Sequence, residues 1–330
     1  MHKPVPPAKF SQIIPPNANY TYFEDQERYP FNPNATGFDL VNAGWLADFA
    51  LLAYGEKDFI SGRLEASGLT AAGFTFKFFA HQTTQCFVTH NDKFAVLSFR
   101  GTEIDNFMGA FADWARNLDF KPATDSSGGR VHRGFAQNIA AVWDEIGEAS
   151  LRNYLNQILA PGKRTLWITG HSLGAALAVL AAERAVREAD FVVNGVYTFG
   201  CPCIGDGGFK EHYATQGLHD RTYRFVNDLD VVRRLPPGSD YQHVGQLKFL
   251  DANGILHEEI AIEPDGDGDL PQPTHGQERA IRMSRLMGRK LAALSESLFG
   301  LTIPAPFADH APIYYAVHIW NNLSDRNVNL

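Results

Sequence analysis

The residues with the clearest chemical promise are Gly170-His171-Ser172-Leu173-Gly174. An apolar run, Thr165-Leu166-Trp167-Ile168-Thr169, precedes them, and an alanine-rich run from Ala175 to Ala182 follows. The order reads as strand, sharp turn, helix. A serine at the apex of such a turn has its hydroxyl thrust out of the sheet, where a base can reach it. The glycines on either side remove Cβ atoms that a strained turn would drive into its neighbours. The bare pattern is weak, because with 29 glycines in 330 residues it turns up by chance in roughly one such chain in seven. The flanking strand and helix make it a nucleophile elbow instead of a plain glycine-rich turn.

A serine hydroxyl is a poor nucleophile at neutral pH. It needs a base to take its proton, a carboxylate to orient that base, and donors for the developing oxyanion. Where an elbow of this kind sits on an α/β-hydrolase sheet, the acid and then the histidine follow the serine in the chain. The histidines after Ser172 are His212, His219, His243, His257, His275, His310 and His318. Phe225-Val226-Asn227-Asp228-Leu229-Asp230 carries carboxylates just past a predicted strand, and Asp228 shares a face with Asp230 if that strand continues. Ala308-Asp309-His310-Ala311-Pro312 places a histidine at a loop-to-helix junction, from which its ring can swing over the elbow. His318, about two helical turns further on, reads as a packed helix histidine. His275 reads as a loop residue, and His132 and His171 as structural. The elbow itself supplies one oxyanion donor, the backbone N–H of Leu173.

Taken in order, these motifs resemble the class 3 lipases, the fungal-type triacylglycerol lipases of the α/β-hydrolase superfamily, over roughly residues 40–320. Leu97-Ser98-Phe99-Arg100-Gly101-Thr102 is similar to the family's oxyanion segment, and Asp113-Trp114-Ala115-Arg116-Asn117-Leu118 to the stretch after its lid. Val131-His132-Arg133-Gly134-Phe135 is similar to the segment that opens the helix before the elbow strand. Thr198-Phe199-Gly200-Cys201-Pro202 resembles the family's Thr-Phe-Gly-Ser-Pro turn, with Cys201 where serine is common. Val226-Asn227, Asp230 and Leu235-Pro236-Pro237 match its acid segment, and Asp309-His310 with Tyr314 its histidine segment. The resemblance implies Ser172 as nucleophile, Asp230 as orienting acid and His310 as base. Thr102, through its backbone N–H and its hydroxyl, would join Leu173 in holding the oxyanion.

The resemblance also implies an α/β-hydrolase fold: a mostly parallel central sheet flanked by helices, with a lid segment over the active site. The implied activity is serine-dependent hydrolysis of carboxylic esters, first of all triacylglycerols at a lipid–water interface, through an acyl-enzyme and without cofactor or metal. The same triad would serve a phospholipase A1 or a feruloyl-type aryl esterase. A non-catalytic lipid-binding homologue would lack a triad member, and none is missing here.

Two apolar segments are candidates for covering the site. Glu103 to Phe111 occupies the position of the family's lid, and its Phe107, Met108 and Phe111 are costly to expose unless covered or met by lipid. Residues 277–298 read as an amphipathic helix, with Met283, Met287, Leu291, Leu294 and Leu298 in one sector and Arg282, Arg285 and Arg289 opposite. That helix is either packed on the surface or a mobile cover that meets a membrane surface. Apart from Met1, every methionine lies in these two segments, and thioether side chains adapt to irregular partners such as acyl chains.

The elements that must hold these residues alternate. A helix is expected over 39–54, strands over 85–89 and 93–99, and one helix over about 134–158. After the elbow come a strand at 195–199, a helix at 207–215, a strand at 222–226 and a hairpin within 240–262. Strands alternating with helices are the signature of a mostly parallel α/β sheet. Residues 1–36, rich in Pro, Asn and Tyr, read as an extended N-terminal arm laid over the surface. Residues 37–330 read as a single domain.

Hydrophobic residues make up 45% and charged residues 20% of the chain, as in ordinary globular proteins. The formal net charge of −8 argues against nucleic acid as a partner. No apolar run approaches the length of a membrane span. The partners that the resemblance implies are a lipid or other ester substrate and a transient contact with its interface. The start of the chain lacks the apolar core of a secretory signal, so a cytoplasmic location is expected if the chain is complete and secretion if a leader was removed. Cys86, Cys201 and Cys203 are too few and too oddly spaced for a disulfide framework and read as small buried residues. Asp265-Gly266-Asp267-Gly268-Asp269 lacks the glycine and glutamate of an EF-hand and reads as a solvated turn.

Overall fold

A computed structural model describes residues 2–102, 122–124, 129–144, 150–159, 164–189, 191–235, 241–259, 303 and 305–326. Its centre is an eight-stranded sheet built from β1 (Thr75–His81), β2 (Thr84–His90), β3 (Phe94–Phe99), β6 (Thr165–His171), β7 (Val193–Phe199), β8 (Thr222–Asn227), β9 (Gln246–Leu250) and β10 (Leu256–His257), in that spatial order. Strands β3, β6, β7, β8 and β9 run parallel, while β1 and β2 at one edge and β10 at the other pair antiparallel. A separate ribbon pairs β4 (Pro122–Thr124) with β5 (Arg130–His132). The parallel strands read as near-continuous apolar runs because both faces of the sheet are covered. On β3, Phe94 and Val96 point to one core and Ala95, Leu97 and Phe99 to the other. On β6, Trp167 joins the first core, and Leu166 and Ile168 the second.

The first face is covered by α2 (Leu40–Leu52) and by α9 (Pro312–Arg326), the helix that follows His310. Helix α2 begins where the Asp39 carboxylate accepts the Asn42 N–H at 3.0 Å, a standard N-cap. It is apolar nearly all round because it is enclosed nearly all round. The second face is covered by α4 (Arg133–Trp143), α5 (Leu151–Ile158) and α6 (Leu173–Ala189). Where the sequence suggests one helix over 134–158, two are described. His132 caps α4 and Ser150 caps α5, accepting the Asn153 N–H at 3.1 Å. That second cap marks a fresh helix start, which the continuous apolar periodicity hides.

Helix α3 (Lys57–Ala66) and strand β1 are further elements that the periodicity did not reveal. The other α-helices among the described residues are α1 (Phe10–Ile13), α7 (Gly207–Thr215) and α8 (Ala305–Ala308). The N-terminal arm carries more than surface: Tyr20, Tyr22, Phe23, Tyr29 and Phe31 are buried in the first core, and Phe31 stacks on Phe94 with centroids 4.2 Å apart. The segments at 103–111 and 277–298, with Phe107, Met108, Phe111, Met283 and Met287, lie outside the described residues, as do His275 and Asp265–Asp269. Among the described residues no helix is long and apolar enough to cross a membrane.

Candidate active site

Strand β6 ends at His171 and α6 begins at Leu173, so Ser172 occupies the turn between them, with φ at 58°. A serine in this left-handed region is strained. The turn is fixed by its N–H, which donates to the Phe199 carbonyl at 3.0 Å. A Cβ on Gly170 would overlap the Gly174 carbonyl, and one on Gly174 would overlap the Phe99 carbonyl. Both glycines are thus demanded by the close approach of strand, turn and helix. Leu173 opens α6, so its N–H is among those that helix geometry leaves without an intrahelical acceptor, at the positive end of the helix dipole.

Asp230 lies just past β8, in a turn closed by its own N–H on the Asn227 carbonyl at 2.8 Å. Its Oδ1 accepts the Val232 N–H at 2.8 Å. Its Oδ2 faces His310 Nδ1 at 2.8 Å and accepts the Tyr315 hydroxyl at 2.5 Å. His310 Nε2 faces Ser172 Oγ at 2.9 Å. A carboxylate can only accept, so Nδ1 carries the proton and Nε2 is left as the acceptor for the serine O–H. Asp230 and His310 are fully buried, and Ser172 is 8% exposed. Gly200, with φ at +57°, makes room for this line: a Cβ there would lie 2.7 Å from Asp230 Oδ2 and 2.8 Å from His310 Nδ1.

The other sequence candidates fall around this centre. Thr102, half-buried, lies just past the end of β3. Asp228 has φ at 28°, donates its N–H to the Leu250 carbonyl at 2.8 Å, and is pushed up in pKa by burial. Asp309 is pushed up to about 7 by burial, with the charges of Asp228 and Asp230 adding to the effect. His318 packs on α9 against Gly254. His132 caps α4, its Nδ1 accepting the Phe135 N–H at 3.4 Å. Cys86, Cys201 and Cys203 are buried free thiols. Among the described residues no group of three His, Cys, Asp or Glu is arranged to hold a metal ion.

Tyr315 was not singled out from sequence. Its hydroxyl accepts the Asn227 N–H at 3.1 Å and donates to Asp230, so it ties the end of β8 to the acid. The available signal was its place on the helix that starts two residues after His310, which returns one face to the histidine loop.

The model of the lipase (class 3) family matches residues 96–239. That stretch contains the end of β3 with Thr102, the elbow, and the Asp230 turn. Over that stretch the chain is similar to the class 3 lipases. A lipase of Rhizomucor miehei is 28% identical over 169 residues, covering 49% of this chain and 43% of its own length. A triacylglycerol lipase of Arabidopsis thaliana is 29% identical over 215 residues, covering 52% of this chain and 40% of its own. A phospholipase A1-II of Oryza sativa is 39% identical over 99 residues, covering 26% of this chain and 24% of its own. The chain therefore spans less than half the length of these curated relatives. Among solved structures, Rhizomucor miehei triacylglyceride lipase superposes with a TM-score of 0.55 at 22% identity, covering 82% of this chain and 95% of that one. A triacylglycerol lipase whose catalytic centre is formed by a serine protease triad gives 0.55 at 21%, covering 82% and 97%. At these identities the likeness establishes the fold, the α/β-hydrolase fold of the fungal lipases.

Proposed function

We propose that this chain is a class 3 lipase that hydrolyses carboxylic esters through Ser172, and that its principal substrates are triacylglycerols met at a lipid–water interface. The observation that carries the reading is the buried line from Ser172 Oγ to His310 Nε2 and from His310 Nδ1 to Asp230 Oδ2, at 2.9 and 2.8 Å. Ser172 Oγ attacks the ester carbonyl as its proton passes to His310 Nε2, and Asp230 stabilises the imidazolium that forms. The carbonyl oxygen becomes an oxyanion held by the N–H groups of Leu173 and Thr102. The intermediate collapses, His310 gives its proton to the leaving alkoxide, and the acyl group stays on Ser172. Water then attacks the acyl-enzyme while His310 takes its proton, and the fatty acid leaves. The sequence relation to lipases of Rhizomucor miehei and Arabidopsis thaliana supports the lipid substrate. Residues 37–330 are read as one hydrolase domain, with 1–36 as its arm and the segments around Phe107, Met108 and Phe111 and around Met283 and Met287 as its cover and acyl groove.

The similarity to a rice phospholipase A1-II favours a second reading, in which the same triad cleaves the sn-1 ester of a phospholipid. Initial rates on triolein emulsion, tributyrin, phosphatidylcholine vesicles and methyl ferulate decide between them. The triacylglycerol reading expects triolein to lead and the rate on tributyrin to rise sharply above its solubility limit. Equal rates on either side of that limit would remove the interfacial part, and a leading phosphatidylcholine rate would move the assignment to phospholipase A1. Ser172→Ala is expected to lower kcat on the order of 10,000-fold or more.

A further inference from the structure

His171, the elbow residue before the nucleophile, is fully buried, and its ring lies against that of His310 with centroids 4.5 Å apart and planes inclined by 35°. Its Nε2 is 2.6 Å from the backbone carbonyl oxygen of His310. A carbonyl only accepts, so Nε2 carries a proton. Burial, reinforced by the neighbouring His310, holds the His171 ring neutral by driving its pKa well below the usual histidine range. Nδ1 is then a lone pair, and the Tyr54 hydroxyl 2.7 Å away must donate to it. Burial pushes the Tyr54 phenol up and keeps it protonated for that role. Tyr54 sits just past the end of α2, and its hydroxyl occupies the space that a Cβ on Gly101 would need, next to Thr102.

We infer that His171 is a positioning residue for the general base, holding the His310 backbone through Nε2–H and its imidazole through ring contact, while Tyr54 holds His171. The inference rests on the hydrolase reading above. His310 must place Nε2 within hydrogen-bond reach of Ser172, then of the leaving group, then of water. It lies between α8 and α9, and Asp230 secures only one edge of its ring. The bond from His171 secures the backbone of the same residue. An error of about 1 Å in such placement costs roughly 100-fold in rate. A neutral ring face beside His310 also suits the imidazolium that forms in the transition state, since a second positive charge at that distance would oppose it.

The test uses the full chain and the variants His171→Leu, His171→Gln and Tyr54→Phe. Active sites are titrated with a fluorophosphonate, and hydrolysis of p-nitrophenyl butyrate is measured per titrated site. His171→Leu is expected to lose roughly 100-fold in kcat while KM stays within about two-fold, the mark of an interaction spent in the transition state. His171→Gln, whose amide N–H can reach the same carbonyl, is expected to recover about ten-fold of that loss. Tyr54→Phe is expected to lose about ten-fold in kcat at unchanged KM, and it carries the test if His171→Leu does not fold. A role in folding alone would reduce the number of titratable sites and leave turnover per site intact, which overturns the inference. Equal turnover in the Leu and Gln variants, or unchanged turnover in Tyr54→Phe, overturns it as well. A wild-type chain that the phosphonate does not label overturns the hydrolase reading itself, whereas a labelled wild type with an unimpaired His171→Leu overturns only the positioning role.

Discussion

Asp230 is a carboxylate taken wholly out of water, and its charge is tolerable only because donors surround it. The Val232 N–H reaches one oxygen; His310 Nδ1 and the Tyr315 hydroxyl share the other. Hydrogen bonds to a buried charge are each worth about 1.5–3 kcal/mol. Tyr315→Phe removes one of them and also leaves the buried Asn227 N–H without its acceptor. The expected result is a loss of about 2 kcal/mol in unfolding free energy, read by urea denaturation, and a kcat lowered about ten-fold. A variant as stable as the wild type would show that Tyr315 fills space and little else. Ser172, Asp230 and His310 stand out in the sequence because the chemistry restricts both their types and their order. Tyr315, Gly200 and Tyr54 do not, because their work is to meet residues 85, 30 and 117 positions away, and nothing local in the chain marks those meetings. Gly200 in particular reads as an ordinary turn glycine until the Asp230–His310 line is seen passing through the space its Cβ would fill.

The turn after β8 and the start of α9 bring Asp228, Asp230 and Asp309 close enough for their charges to act on one another. Asp309 takes the consequence: half-buried, it holds its proton up to about pH 7, against about 3.9 in an unfolded chain. A carboxyl with a raised folded pKa adds stability in full below the unfolded value, and that contribution drains away as pH rises through the folded value. Between about pH 4 and 7 the wild-type fold should therefore lose stability through this group and level off above 7. Asp309→Asn keeps an acceptor for the Leu229 N–H, 3.3 Å from Oδ2, and cannot ionise. It is expected to match the wild type in Tm near pH 4 and to exceed it by about 2 °C or more at pH 8, followed by calorimetry. A constant difference across that range would exclude the titration. At this scale the sequence was legible wherever an element makes its own signal. Helix α2 has its Asp39 cap, α7 has Asp206, and β3 is a nearly continuous apolar run. It was less legible at α3, which buries only Ile60 and Leu64, and at β1, an edge strand with only Phe79 fully covered. Elements that bury little show little pattern.

The two ends of the described chain meet over the first face of the sheet, and this closure is invisible in either end alone. The Asn321 side-chain amide accepts the Lys3 N–H and donates to the Lys3 carbonyl, at 2.7 and 3.0 Å. The Lys3 ammonium, in a side chain only 8% exposed, donates to the Tyr20 hydroxyl at 2.9 Å and the Thr21 carbonyl at 2.7 Å, and it lies 4.5 Å from the centre of the Trp320 ring. Tyr20 passes the bond on to the Asp48 carboxylate at 2.7 Å, inside α2. Arm, α2 and α9 are thus joined through one buried cation and one buried anion, and α9 carries the Tyr315 that supports Asp230. Burial pushes the Asp48 carboxyl up in pKa, and Lys3 opposes that shift. Lys3→Met keeps the stem and deletes the charge, leaving Asp48 with its donors but without the cation. The expected cost is about 2 kcal/mol in unfolding free energy, with the midpoint of thermal inactivation falling in step because α9 is released with the arm. In an Asp48→Asn background the anion is already gone, so the same Lys3→Met change should cost at least about 1 kcal/mol less. A double variant whose losses simply add would mean that Lys3 acts within the arm, through Glu24 at 3.5 Å and by packing on Tyr20 and Trp320, and that no charge couples the arm to the helix beneath the site.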